Sequence, residues 1–517
     1  MSRSPKDPEA QHKRRNSNAS SSPYYGRARG VAHNVYLRLG LHKPRGLRNL
    51  VFWIVGAIFV FNILDVTTGY TFRARRTRRW IQEQIYDMDD SDLDTPPRYQ
   101  DLIAEQRALP QHNLSLPYPE GAHGRYVKFT SQINMLGWNN VLNELLMLNY
   151  LAYRSDRAYV FQDYIWKMEY YPWSRRQSWE YHAHTPLPAL IGGPTAGGSW
   201  APGDHAPRSI HQEHWDVVCS REKVKRIWTH KIKKQFDLHW TPSGKYIFDT
   251  WNKLLLEEKA NCVEVIAPGR EVEDFGQVFD LWLWGSDRIL SMWEELRDSP
   301  VSQLWKTSAL IQRSVDRNIH LFQNPKNPQR DPFDHVFAAH VRRGDYEGAC
   351  LNLANWKSTF YSWNQLPYLP DRFTPAEGGE PGHNTPENIK AYYDRCLPDM
   401  DQIIKKITDS RDDYEKEVFG DQKGVHTINT LFILTNDNSE WMEEFKKRLS
   451  KNNEWMIVTS HDITFGNAQE KDTGMALDME LARKSAIFLG NGWSSFTSNI
   501  LHRRLVDKKV PISNRFF

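Results

Sequence analysis

His335-Val-Phe-Ala-Ala-His340-Val-Arg342-Arg343-Gly344-Asp345 is a short apolar run that ends in two arginines and a turn. The segment 335–341, rich in apolar and β-branched residues, predicts a buried strand. Such a strand, followed directly by Arg342 and Arg343, puts guanidinium groups at the carboxyl edge of a sheet. In open α/β sheets that edge is where ligands sit. A guanidinium stays charged and offers paired donors, which suits phosphate. An Arg–Asp pair that merely closes the strand is the structural alternative.

Working outward, further strands are predicted at 430–435 (TLFILT), 454–460 (EWMIVTS) and 485–490 (SAIFLG). Trp441, Phe445 and Leu449 mark an amphipathic helix between them, as do Met475, Met479 and Ala482. Strands alternating with helices predict a parallel sheet covered on both faces. A second block of this kind begins at Arg125, where RYVKF reads as a strand and GWNN (137–140) as a loop. Val141, Leu145, Leu148 and Ala152 then recur at helical spacing, and AYVF (158–161) is the next strand. The chain is therefore expected to be α/β, with two Rossmann-like domains facing a cleft. The stretch 170–215 reads as long loops, and 170–330 holds no recognisable motif.

A second chemical signal runs from Asp478 to Phe496: helix, short buried strand, Gly490-Asn-Gly-Trp turn, then Ser494-Ser495-Phe496 opening a helix. Free amides and the dipole at such a helix start favour an anion. Asp478, on the preceding helix, is placed to accept hydrogen bonds from a base such as guanine. No Gly-x-Gly-x-x-Gly, Walker loop or Gly-x-Ser-x-Gly elbow occurs, so dinucleotide redox, P-loop and serine-hydrolase chemistry have no support. His211 and His214 lack further ligands at metal-binding spacing. The acidic matches Asp87/Asp89 and Asp90/Asp92 read as a solvated linker.

Taken together, these residues resemble the GDP-fucose protein O-fucosyltransferases and, more distantly, the α1,6-fucosyltransferases. His340-Val-Arg342 resembles the family's His-x-Arg motif, and 478–496 its guanine- and phosphate-binding motif. Gly137-Trp-Asn-Asn140, with Arg157 seventeen residues further on, resembles its N-terminal loop. The resemblance implies a GT-B fold and an inverting fucosyltransferase that takes GDP-fucose without a metal and transfers to a protein Ser/Thr or a glycan. It assigns catalysis to Arg342 and Asn140, and donor binding to Gly137, His340, Arg342, Asp478, Ser494, Ser495 and Phe496. Some relatives place a glutamate three residues before the loop asparagine. Here that residue is Gly137, so the general base is unassigned; Glu144, one helical turn beyond Asn140, is the candidate substitute, with an ordinary surface or helix-supporting role the favoured reading. A scaffold that binds a GDP-sugar without turning it over is the rival reading.

Charge and hydropathy describe the ends. Residues 1–49 carry net +9, 50–80 carry +4 and 81–517 carry −9. The basic part is thus the polar end, which excludes nucleic acid as a partner of the folded body. The run from Leu50 to Phe72 holds one acid, Asp65, between Arg48 and Arg73, long enough to cross a bilayer. The expected organisation is a basic cytosolic tail (1–49), a transmembrane signal anchor (50–72) and a stem (73–120). An acceptor-side domain (121–330) and a donor-binding domain (331–517) follow. A type II protein of the Golgi or endoplasmic reticulum membrane is expected, with the sequon Asn113-Leu-Ser115 and four cysteines on the luminal side. Those cysteines allow three pairings; Cys350 with Cys396 and Cys219 with Cys262 is the one considered.

Overall fold

The computed structural model describes residues 93, 95–130, 136–167, 171, 173, 184–323, 329–344, 346–380, 382–420, 427–452 and 455–517. The tail (1–49), the expected membrane anchor (50–72) and Asp345 lie outside the described residues. Among the described residues no helix is long and apolar enough to cross a membrane.

In chain order the strands are β1 (Tyr126–Phe129), β2 (Ala158–Phe161), β3 (Tyr164–Ile165), β4 (His184–Thr185), β5 (Ile210–His211) and β6 (Val224–Trp228). Then come β7 (Cys262–Ile266), β8 (Val336–His340), β9 (Thr430–Leu434), β10 (Met456–Thr459), β11 (Ile487–Gly490) and β12 (Asn514–Phe516). They form two parallel five-stranded sheets, ordered β5-β2-β1-β7-β6 and β10-β9-β8-β11-β12, while β3 and β4 pair antiparallel. In each sheet the chain winds outward on one side of its first strand and then crosses to the other. The second sheet has the 3-2-1-4-5 order of a nucleotide-binding half. The first reverses its last two strands. The switch points, where a crevice opens at the strands' carboxyl ends, are β1/β7 and β8/β11.

Strand period decides which side chains meet. Val336 and Ala338 of β8 join one core, and Phe337 and Ala339 join another beneath Ile403 and Ile407. In the first sheet Val127 and Phe129 face the same core as Val336, whereas Tyr126 faces a third cluster with Trp215. One apolar core therefore continues from sheet to sheet, and Trp251, Trp284, Trp293 and Trp363 lie fully buried within it. The bridges are Cys219–Cys262 and Cys350–Cys396.

The structure corrects two expectations. Residues 73–120 are not stem to their end. From Tyr99 onward the chain packs into the body: Tyr99 is buried and its hydroxyl donates to Asp472 at 2.6 Å, and Gln106 and Gln111 are buried too. Short helices and turns built on side-chain hydrogen bonds leave no apolar period to read. The stretch 170–215, read as long loops, holds the short strands β4 and β5, and β6 and β7 follow before 330. β5 is two residues long, and β6 sits at an edge with Lys225, Arg226 and Trp228 exposed, so neither carries an apolar run.

Candidate functional site

A cavity of about 390 Å³ opens between the switch points, and both halves of the chain line it. Arg342 comes from the loop two residues beyond β8, Ser494 and Ser495 from the turn after β11, and Asn140 from the first helical turn after Gly137. Tyr361 and Trp282 close the sides. Arg342 is the one charged residue among those described in the lining; its guanidinium lies 4.9 Å from the ring of Tyr346. The two halves are tied across the site, since Asn499 Nδ2 donates to Asn139 O at 2.9 Å.

The turn after β11 is held rigidly. The Trp493 amide donates to Asn491 Oδ1 at 3.0 Å, and Asn491 Nδ2 donates to Cys396 O at 2.7 Å. Cys396 is bonded to Cys350 on the helix Tyr346–Asn355, directly after the arginine loop. One disulfide thus links the loop of Arg342 to the turn of Ser494. Asn364 Nδ2 donates to the carbonyls of Gly492 and Ser494 at 2.9 and 3.2 Å. Ser494 caps the helix Ser495–Val506 without a side-chain bond to it, so its hydroxyl is not consumed by the cap.

Glycine is needed at Gly492 because a Cβ there would lie 2.2 Å from the Phe360 ring, itself buried under Trp493. Gly492→Ala is expected to cost about 1–3 kcal/mol. Urea unfolding followed by tryptophan fluorescence would register that loss.

His340, Phe496, Asp478 and Gly137 are not among the residues that line the cavity. The His340 ring packs on Phe496 with centroids 4.7 Å apart, and its Nδ1 is 3.4 Å from Thr497 Oγ1. Burial, with Arg342 nearby, pushes the imidazole down to about 3. It is therefore neutral near pH 7 and supports the turn rather than moving protons. Asp478 accepts from Ser460 Oγ at 2.7 Å, and burial pushes its carboxyl up to about 7. Gly137 accepts from the Asn140 amide at 3.0 Å; its backbone has φ −65° and a Cβ there would meet open space. Arg343 turns away, stacking 4.0 Å from Trp441 and donating to Pro398 O.

The structure resembles solved fucosyltransferases. POFUT1 in complex with GDP matches with a TM-score of 0.45 and 14% identity, covering 76% of this chain and 98% of that one. NodZ α-1,6-fucosyltransferase soaked with GDP-fucose matches at 0.35 and 13%, covering 74% and 92%. A variant of Arabidopsis thaliana FUT1 in complex with GDP matches at 0.33 and 14%, covering 78% and 73%. No family model and no characterised protein sequence matches the chain.

Sequence reasoning missed Tyr361, in a loop, and Trp282, on the short helix Leu281–Trp284, neither of which lies in a motif. Of the readings of Glu144, the structure rules out the surface one. This side chain is 2% exposed, one turn beyond Asn140, because its helix is enclosed on all sides by the core. Arg157 is fully buried and donates to the carbonyls of Leu255, Glu258 and Ala260, a structural role. His211 and His214 lie outside the cavity lining, the latter stacked on His112 with centroids 4.5 Å apart. Among the described residues no cluster of His, Cys, Asp or Glu is arranged to hold a metal ion. A larger groove of about 910 Å³ beside β6, lined by Lys225, Trp228 and Tyr246, contains none of the residues the motifs single out.

Proposed function

We propose that the protein is a GDP-fucose-dependent fucosyltransferase of GT-B type, its cavity holding the sugar diphosphate. The observation that carries this reading is the meeting of Arg342, Ser494, Ser495 and Asn140, from distant parts of the chain, in one otherwise neutral cavity. Arg342 binds the β-phosphate. The amides and hydroxyls of the 494–496 turn complete an anion cradle at a helix start. The base lies toward Asp478, whose carboxylate accepts its N–H groups, and His340 with Phe496 keeps the turn in place.

In the proposed reaction an acceptor hydroxyl attacks the anomeric carbon from the face opposite GDP. The C1–O bond to the β-phosphate breaks with inversion, the bond electrons leave on GDP, and the hydroxyl proton is released to solvent water. Negative charge grows on the departing diphosphate, and a preorganised guanidinium stabilises it without a metal. Asn140 stands at the acceptor side of the cavity and orients the reacting groups. The resemblance favours a Ser/Thr hydroxyl of a protein as acceptor. A glycan hydroxyl is the second reading, and exposed tryptophans beside the cavity favour it. The expected setting is a secretory-pathway membrane, through the segment 50–72.

Calorimetric titration with GDP and GDP-fucose, with no divalent metal, tests the donor site. Binding of the guanine edge requires the ionised form of Asp478, whose value near 7 is raised by burial. Binding therefore releases a proton near neutrality, and affinity rises with pH. Because the ionised fraction falls about tenfold between pH 8 and pH 6, GDP affinity is expected to fall about tenfold. The Asp478→Asn variant should bind weakly and lose this pH dependence. A folded protein that binds neither ligand at pH 8 would sink the donor assignment.

A further inference from the structure

Most of the described tryptophans are interior, but three stand together in solvent beside the cavity. Trp282 lines the cavity and is 44% exposed; Trp240 is 69% exposed and Trp356 55%. Their rings form a chain, with centroids 6.0 Å apart from Trp240 to Trp282 and 6.3 Å from Trp282 to Trp356. They come from three separate segments of chain, so their meeting is a product of the tertiary fold.

The middle member is firmly held. Lys233 is 1% exposed, and its ammonium donates to Glu273 at 2.7 Å, Phe275 O at 3.0 Å and Asp280 at 3.2 Å. Asp280 in turn caps the short helix that carries Trp282, accepting from the Leu283 amide at 3.0 Å. A buried cation bound by three oxygens gives this segment one geometry, and Phe275 meets Trp282 edge-on at 5.9 Å.

We infer that this aromatic cluster is the acceptor subsite and that the acceptor presents a pyranose ring to it. The inference rests on the proposed donor reading and adopts the glycan acceptor given above as the second reading. Exposed indole faces are electron-rich, and the axial C–H bonds of a pyranose carry partial positive charge, so the two stack while the sugar hydroxyls stay hydrated. The lining described around Trp282 is neutral apart from Arg342, which matches an uncharged sugar beside one diphosphate. The planes of Trp240 and Trp356 are tilted by 56° and 68° from that of Trp282. A flat row of rings would suit a crystalline polysaccharide surface. Tilted rings instead enclose a single soluble glycan. Continuity with the cavity points such a glycan's hydroxyl at the donor carbon.

Saturation-transfer difference NMR on the full-length chain, in a sugar-free zwitterionic detergent with GDP bound, tests this. The probes are methyl glycosides of glucose, galactose, mannose, xylose and N-acetylglucosamine. Transfer to pyranose ring protons of at least one of them is expected. It should drop about fivefold in Trp240→Ala and in Trp356→Ala and be partly restored in Trp356→Phe, with GDP affinity unchanged. Loss of all transfer on a protein that still binds GDP would overturn the saccharide assignment alone. Equal transfer in wild type and both alanine variants would do the same. A protein that binds no GDP would remove the donor reading, and the inference with it.

Discussion

Arg342→Ala is expected to lower fucosyl transfer about 10²–10³-fold, the usual cost of removing one preorganised donor from developing negative charge. No other charged side chain is described in the cavity lining, so no neighbour there replaces it. Arg342→Lys keeps the charge but not the planar fork, and should recover binding of GDP more than turnover. Arg343→Ala is the control. That guanidinium is engaged with Trp441 and Pro398 outside the lining, so its loss should move stability and leave kcat within a few-fold. Release of GDP from GDP-fucose in the presence of acceptor, alongside calorimetry, separates the three variants. Full activity in Arg342→Ala would end the proposed mechanism.

Arg504→Met is expected to give the largest loss of stability, about 3–5 kcal/mol, through a different use of the same functional group. Arg504 is fully buried, and burial pushes its guanidinium down to about 9. It donates to Asn514 Oδ1 and Ser485 O at 2.6 Å, Ser513 O at 3.0 Å and Ala486 O at 3.1 Å. These bonds fasten the helix Ser495–Val506 to the entry of β11 and to β12. Methionine fills the volume but leaves buried carbonyls without donors, and each costs about 1–3 kcal/mol. Urea unfolding by tryptophan fluorescence should show the midpoint move far down. Weakened GDP binding should accompany it, because the same helix carries Ser495 at its start.

How much of this was legible depends on how local the physics is. The strands at 335–341, 430–435, 454–460 and 485–490 were readable because each is an apolar run, and the structure has β8, β9, β10 and β11 there. The helices around Val141, Trp441 and Met475 were readable from their period. In contrast, β5 and β6 escaped because one is too short and the other too exposed to carry a pattern. The burial of Glu144 was not legible, because enclosure of a helix on all sides is a property of its neighbours.

The site divides the same way. The order strand, arginine, turn and the order strand, glycine turn, serine helix are local, and the chain determined them by itself. The types of residue available to hold a phosphate were therefore written in the sequence. Where each arginine ends up was not: Arg342, Arg343 and Arg504 are chemically alike. One lines a cavity, one lies on a tryptophan and one is sealed among carbonyls. The bridges Cys219–Cys262 and Cys350–Cys396, and the meeting of Trp240, Trp282 and Trp356, belong to this second class. Each joins residues more than forty apart in the chain, and only tertiary packing brings them together.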